Sequence, residues 1–179
     1  MPYMKKNKSK SSKTIYSILF RYLILLVIVA LGLPLIYAIF TPLTINFTAL
    51  ILDIFYEITI NKDIIIINTT TLISIINACV AGSAYLLLLI LNLTIRMKTN
   101  LRIKSILYSF TLLFILNVIR IAILAALYHH EVAYFDFTHA LFWYGLSTLF
   151  VIAIWFETVR KFKIKRIPFY SDYKTLTNF

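Results

Sequence analysis

The stretch ILYSFTLLFILNVIRIAILAAL, residues 106–127, carries a single charged side chain, Arg120, in a run long enough to cross the hydrocarbon of a bilayer as a helix. Three further runs have the same character. Residues 79–95 lie before it, residues 139–156 after it, and residues 18–40 near the start, where Arg21 is close enough to the end of the run to snorkel to the surface. The first run exceeds the core of a cleavable signal and has no small-x-small site after it, so it is expected to stay as a permanent span. Composition agrees. Of the 179 residues, 61% are hydrophobic and 14% charged, against about 45–50% and about 25% in a soluble domain. The expected fold class is an all-α integral membrane protein, a four-helix transmembrane bundle in one membrane domain over residues 1–179.

The net charge of +11 would suit nucleic-acid binding only if the cations shared a folded face, and they fall instead between the apolar runs. Lys5 to Lys13, the group Arg96, Lys98, Arg102 and Lys104, and the tail 157–179 with Arg160 to Lys174 lie on one side of a four-span bundle. With Arg21 added to that side, Lys62 and Arg120 alone lie elsewhere. By the positive-inside rule both termini are cytoplasmic, in a cell membrane crossed several times, and no nucleic acid is expected as a partner.

Residues 41–77 then form an extracytoplasmic insert. Leu43, Phe47, Leu50, Ile51, Ile54, Phe55 and Ile58 share one helical face, which predicts a helix lying on the outer surface. Ile58 to Ile60, the polar Asn61-Lys62-Asp63 and the β-branched run from Ile64 predict a small β-hairpin, which needs a support to rest on.

This topology gathers chemistry at the outer face. Cys79 opens the second span, Arg120 sits about two turns from the outer end of the third, and His139 heads the fourth. The single cysteine excludes an intramolecular disulfide and a cysteine-based metal cluster, and it would most often be a buried small side chain. At a helix N-terminus capped by Asn77, with a cation beside it, it is instead placed for thiolate chemistry. An arginine within a span is costly and faces a partner or a wet cavity; Glu131 and Asp136 are candidate partners, and an oxyanion is another. His139 suits general acid or base work, although an interfacial histidine bonded to lipid or water is the plainer role. His129, His130, Glu131 and Asp136 form a weak metal pattern that more often marks a solvated turn, and no cofactor or metal is expected. Phe135, Phe137, Phe142, Trp143 and Tyr144 read as an interfacial aromatic belt.

Asn77-Ala78-Cys79-Val80-Ala81-Gly82, Asn117-Val118-Ile119-Arg120 and His139, in this order on successive spans, resemble the nucleophile, Asn-x-x-Arg and histidine segments of the exosortase and archaeosortase family of membrane transpeptidases. The resemblance covers roughly residues 43–156. It departs at Val80-Ala81-Gly82, where the family has a small polar residue after the cysteine and then glycine, and the chain has four spans where many relatives have about eight. The resemblance implies a cysteine protease-transpeptidase. Its substrates would be exported proteins ending in a short motif, a transmembrane helix and a basic cluster. Cys79 would form a thioester, His139 move protons, and Arg120 hold the thiolate or the oxyanion. An acceptor amine or lipid-linked group would release the product. The small residues Ala81, Gly82, Ser83 and Ala84 would let the substrate's span pack closely. The competing readings are a non-catalytic membrane scaffold, with Arg120 paired and Cys79 as filler, and a small transporter subunit with Arg120 on an anion path.

Overall fold

The computed structural model describes residues 5–95 and 97–164, and the side chains of these apart from residues 5–19, 21, 22, 25, 143 and 144. Arg96 and the expected tail beyond residue 164, with Lys165, Arg166 and Lys174, lie outside the described residues, as do the rings of Trp143 and Tyr144. The chain is mostly helical. Helix α1 (Lys5–Leu52) is followed by strands β1 (Ile58–Asn61), β2 (Ile64–Ile67) and β3 (Thr71–Ser74). Helices α2 (Asn77–Val80), α3 (Gly82–Thr94), α4 (Thr99–His129), α5 (Phe135–Ala140) and α6 (Ser147–Lys161) complete it, with a π-helical segment, Leu141–Leu146, between the last two.

Among the described residues three stretches of helix are long and apolar enough to cross a membrane: Leu26–Leu52, Asn77–Thr94 and Thr99–His129. The second covers the expected run 79–95 as far as residue 94, and the third contains the run 106–127. The first is shifted, because the helix does not stop after residue 40. The expected surface helix is the continuation of α1, which passes through Pro34 and Pro42 without a break in helical structure. Proline denies the preceding turn one hydrogen bond, and apolar surroundings favour keeping the remaining backbone bonds in place. Asn46 supplies a local bond there, donating from Nδ2 to the Pro42 carbonyl at 2.8 Å. The face read from Leu43 onward points outward, with Leu43, Phe47, Leu50, Ile54 and Phe55 exposed, and it is another face, carrying Ile45, Ala49 and Leu52, that is buried.

The expected hairpin is a three-stranded antiparallel sheet in the order β1-β2-β3. Ile58 pairs with Ile67 and Asn61 with Ile64 around the polar turn, and the chain then doubles back so that Ile64 pairs with Ser74 and Ile67 with Thr71. Ile65 and Ile67 on β2 are fully buried. With Ile75, Val80, Ile121, Ala122, Ala125 and the end of α1 they form one core, which is the support the strands need. A second core lies further along the bundle, where Ile36, Tyr85, Leu88, Leu113, Val151 and Ile154 bring α1, α3, α4 and α6 together. Phe40 stacks on Tyr85 there, with ring centroids 4.1 Å apart.

Gly82 fixes the approach of α1 to α3. A Cβ on it would meet Tyr37 Cε1 at 2.5 Å, well inside van der Waals contact. Gly82→Ala is therefore expected to cost about 1–3 kcal/mol as the Tyr37 ring is forced aside. A Tyr37→Leu background should recover most of that loss in thermal unfolding of the detergent-solubilised protein.

Candidate active site

Strand β3 runs almost directly into α2, so the residues before Cys79 are held at both ends. Ile75 N donates to Asp63 O at 2.8 Å, and Cys79 N donates to Ile76 O at 2.8 Å. Helix α2 begins one residue earlier than expected. Its N-cap is Ile76, with no side-chain bond, so Asn77 is its first residue and not its cap. The helix lasts one turn. Ala81, at φ 60° and ψ 37°, is in the left-handed conformation, which terminates α2 and lets α3 start in a new direction.

This break decides the bonding of the Cys79 carbonyl. The last carbonyls of a helix have no partner within it. Here Asn117 Nδ2 donates to Cys79 O at 2.8 Å and Arg120 donates to the same oxygen at 3.2 Å. Asn117 and Arg120 lie three apart on α4, the spacing that puts two side chains on one helix face. Arg120 also donates to Ser147 Oγ at 2.7 Å, and Ser147 in turn donates to Phe142 O at 2.6 Å. Arg120 is 7% exposed, and its guanidinium ties α2, α4 and α6 together. Its Nε is buried and has no hydrogen-bond partner. Its bonds run to a backbone oxygen and a hydroxyl, neither of which is the carboxylate of Glu131 or Asp136.

Cys79, Arg120 and His139 line one cavity of about 220 Å³. Cys79 is half-buried and its thiol is free. Its walls are apolar: β3 from Leu72 to Ile75 on one side, Phe135 and Phe142 on another. The ring of His139 stacks on that of Phe135, with centroids 5.6 Å apart and planes within 6°. The π-helical segment separates His139 from Ser147 and supplies Phe142, which lines the cavity and whose carbonyl accepts from the Ser147 hydroxyl that holds Arg120. π-Helical turns of this kind are common at functional sites.

A second cavity, of about 690 Å³, lies on the other side of Arg120. Ala81, Ser83 and Ala84 line it, as do Leu87, Ser147 and Ile152. Of the four small residues expected to receive a partner helix, Gly82 is taken up by Tyr37 and the other three face this space.

His129 and His130 serve the fold. His129 Nδ1 is 2.7 Å from Thr71 Oγ1, and His130 Nε2 is 3.0 Å from the Tyr56 hydroxyl, so the end of α4 is pinned to the sheet and to the segment before it. Among the described residues no group of three or more His, Cys, Asp or Glu is arranged to hold a metal ion.

No family model matches this chain, and no curated protein or solved structure is significantly similar to it. The site therefore stands on its geometry. Sequence reading named Cys79, Arg120 and His139, and these share a cavity. It passed over Ser147 and the wall formed by β3. The polar pair Ser147-Thr148 in an otherwise apolar run was the available signal for the first.

Proposed function

We propose that this protein is a membrane-embedded cysteine protease or transpeptidase, acting on exported proteins whose C-terminal end carries a short motif, a transmembrane helix and a basic cluster. The observation that carries this reading is the convergence of Cys79, Arg120 and His139, from α2, α4 and α5, on one apolar cavity. In such a site the thiolate attacks the peptide carbonyl, forming the C–S bond. The C–N bond then breaks, the amine leaves with a proton from His139, and a thioester remains. An acceptor amine, lipid-linked group or water attacks the thioester, giving its proton back through His139 and releasing the thiol. Arg120 lines the cavity with its guanidinium held by two hydrogen bonds, and a cation so placed beside apolar walls suits the oxyanion of either tetrahedral intermediate.

The same reading takes the helical run from Phe135 to Lys161 as a fourth crossing. At about 1.5 Å per residue it extends for about 40 Å, sufficient for a bilayer. Both termini are then cytoplasmic, and the cavity and sheet lie at the outer face of the cell membrane. The alternative of a non-catalytic scaffold draws on the two intramolecular bonds of Arg120.

Alkylation separates the two. In right-side-out vesicles, a membrane-impermeant thiol reagent should label Cys79, and Arg120→Ala and His139→Ala should each slow labelling by roughly tenfold through loss of thiolate stabilisation and of the proton acceptor. Labelling that is absent, or unchanged in both variants, would leave the scaffold.

A further inference from the structure

Strand β3 is an edge. Among the described residues the order β1-β2-β3 leaves one side of it without a neighbouring strand. Ile75 N bonds to Asp63 O, and the register pairs Ile73 with Ile65 and Thr71 with Ile67. Hydrogen-bonding residues alternate along an antiparallel strand, so Thr71, Ile73 and Ile75 turn their backbone groups to β2, and Leu72 and Ser74 turn theirs outward. Exposed edges are usually blunted by lysine, proline or a bulge. Thr71-Leu72-Ile73-Ser74 carries none of these.

Two cavities border this strand. The one holding Cys79 is lined by Leu72 to Ile75, and a more polar one, of about 590 Å³, is lined by Thr70 to Leu72 together with Glu131 and Asp136. Leu72, Tyr128 and Phe135 line both, so the two adjoin along β3. From Thr71 to Ile75 the strand covers about 13 Å at about 3.3 Å per residue, the reach of four extended residues.

We infer that this edge binds peptide. An extended segment adds to β3 as a fourth strand, bonded to the backbone of Leu72 and Ser74, with a cationic residue beside Glu131 and Asp136 and a carbonyl delivered to Cys79. Backbone pairing supplies the affinity, and the acidic cavity, about four residues from the thiol, supplies the preference. The delivery of the carbonyl rests on the enzymatic reading above; the strand addition does not.

Cys79 is the only cysteine, so a peptide ending in a vinyl sulfone attaches there alone. The thiolate adds to the terminal vinyl carbon, and a proton from the site is taken up at the carbon next to the sulfone. The probes are alternating valine-threonine pentapeptide vinyl sulfones with lysine or glutamate at the first position, and the N-methylated form of the lysine peptide, applied to the full chain in lipid nanodiscs. In the adduct, amide exchange at Leu72 and Ser74 should slow at least about tenfold, as a backbone hydrogen bond forms at each. The N-methylated probe should label roughly fivefold more slowly, the equivalent of about one net hydrogen bond. The lysine probe should label roughly threefold faster than the glutamate probe at low salt. An adduct whose Leu72 and Ser74 amides exchange as in the free protein overturns strand addition, and so does failure of any probe to attach. If protection appears but His139→Ala and Arg120→Met label at the parent rate, the edge stands and the enzymatic reading falls.

Discussion

Cys79→Ala is expected to abolish processing, by roughly a thousandfold or more in rate, with almost no loss of stability. The thiol is the nucleophile of the proposed mechanism, and removing a nucleophile leaves only the residual effect of binding and polarisation. The fold should barely register the change. What holds this segment is the backbone carbonyl of residue 79, bonded to Asn117 and Arg120, and alanine keeps it. Truncating a half-buried cysteine should cost about 1 kcal/mol or less. The measurement is pulse-chase of an exported protein ending in a motif, an apolar span and a basic cluster, in cells carrying either form. Accumulation of precursor beside a normally folded variant is the expected outcome. Processing at the parent rate would remove the enzyme and leave the scaffold.

Arg120→Met should lower the rate by about two orders of magnitude, the size of a lost oxyanion donor, while costing only about 1 kcal/mol in unfolding. The small cost follows from the bonding around it. When the guanidinium is removed, Cys79 O keeps Asn117 as a donor and Ser147 keeps Phe142 O as an acceptor, so no buried polar group is orphaned. A purely structural arginine would show the reverse balance, with activity falling only as far as the folded fraction falls. The double variant Asn117→Leu with Arg120→Met sharpens the test. It leaves Cys79 O with neither donor, and its cost should exceed the sum of the single variants by about 1–3 kcal/mol. Thermal unfolding measured together with precursor processing in the four proteins reads both quantities.

The parts of this molecule that follow from local pattern were legible in the sequence. Apolar run length located the helices around residues 79–95 and 106–127, and the order of Cys79, Arg120 and His139 along successive runs was enough to expect them at one end of the bundle. The parts that depend on partners were not. The first run reads as ending at residue 40, yet α1 continues, held by the packing of Ile45, Ala49 and Leu52 against the sheet and α4. Strand β3 was missed because Thr71 to Ser74 has no strong signal of its own, and its pairing with β2 comes from a turn through Asn68 and Thr69, both at positive φ. The bend at Ala81 was equally hidden, since alanine rarely adopts that conformation and the residues that hold it there come from α1 and α4. Arg120 was recognisable as costly, but its bonds to a carbonyl and to Ser147 could be known only once α2 and α6 were in place.

Helix α1 is about 70 Å long at about 1.5 Å per residue, more than twice the thickness of bilayer hydrocarbon, and its far end is built into the same core as the sheet. On the function proposed above it works as a ruler. A rod without a loop in it answers a thicker or thinner bilayer by changing its tilt, and the sheet and the turn bearing Cys79 are carried with it. On the reading proposed here, the cutting position in a substrate is counted from the point where the substrate itself enters the lipid, and moving the motif by a residue or two along the chain takes it out of register with the thiol.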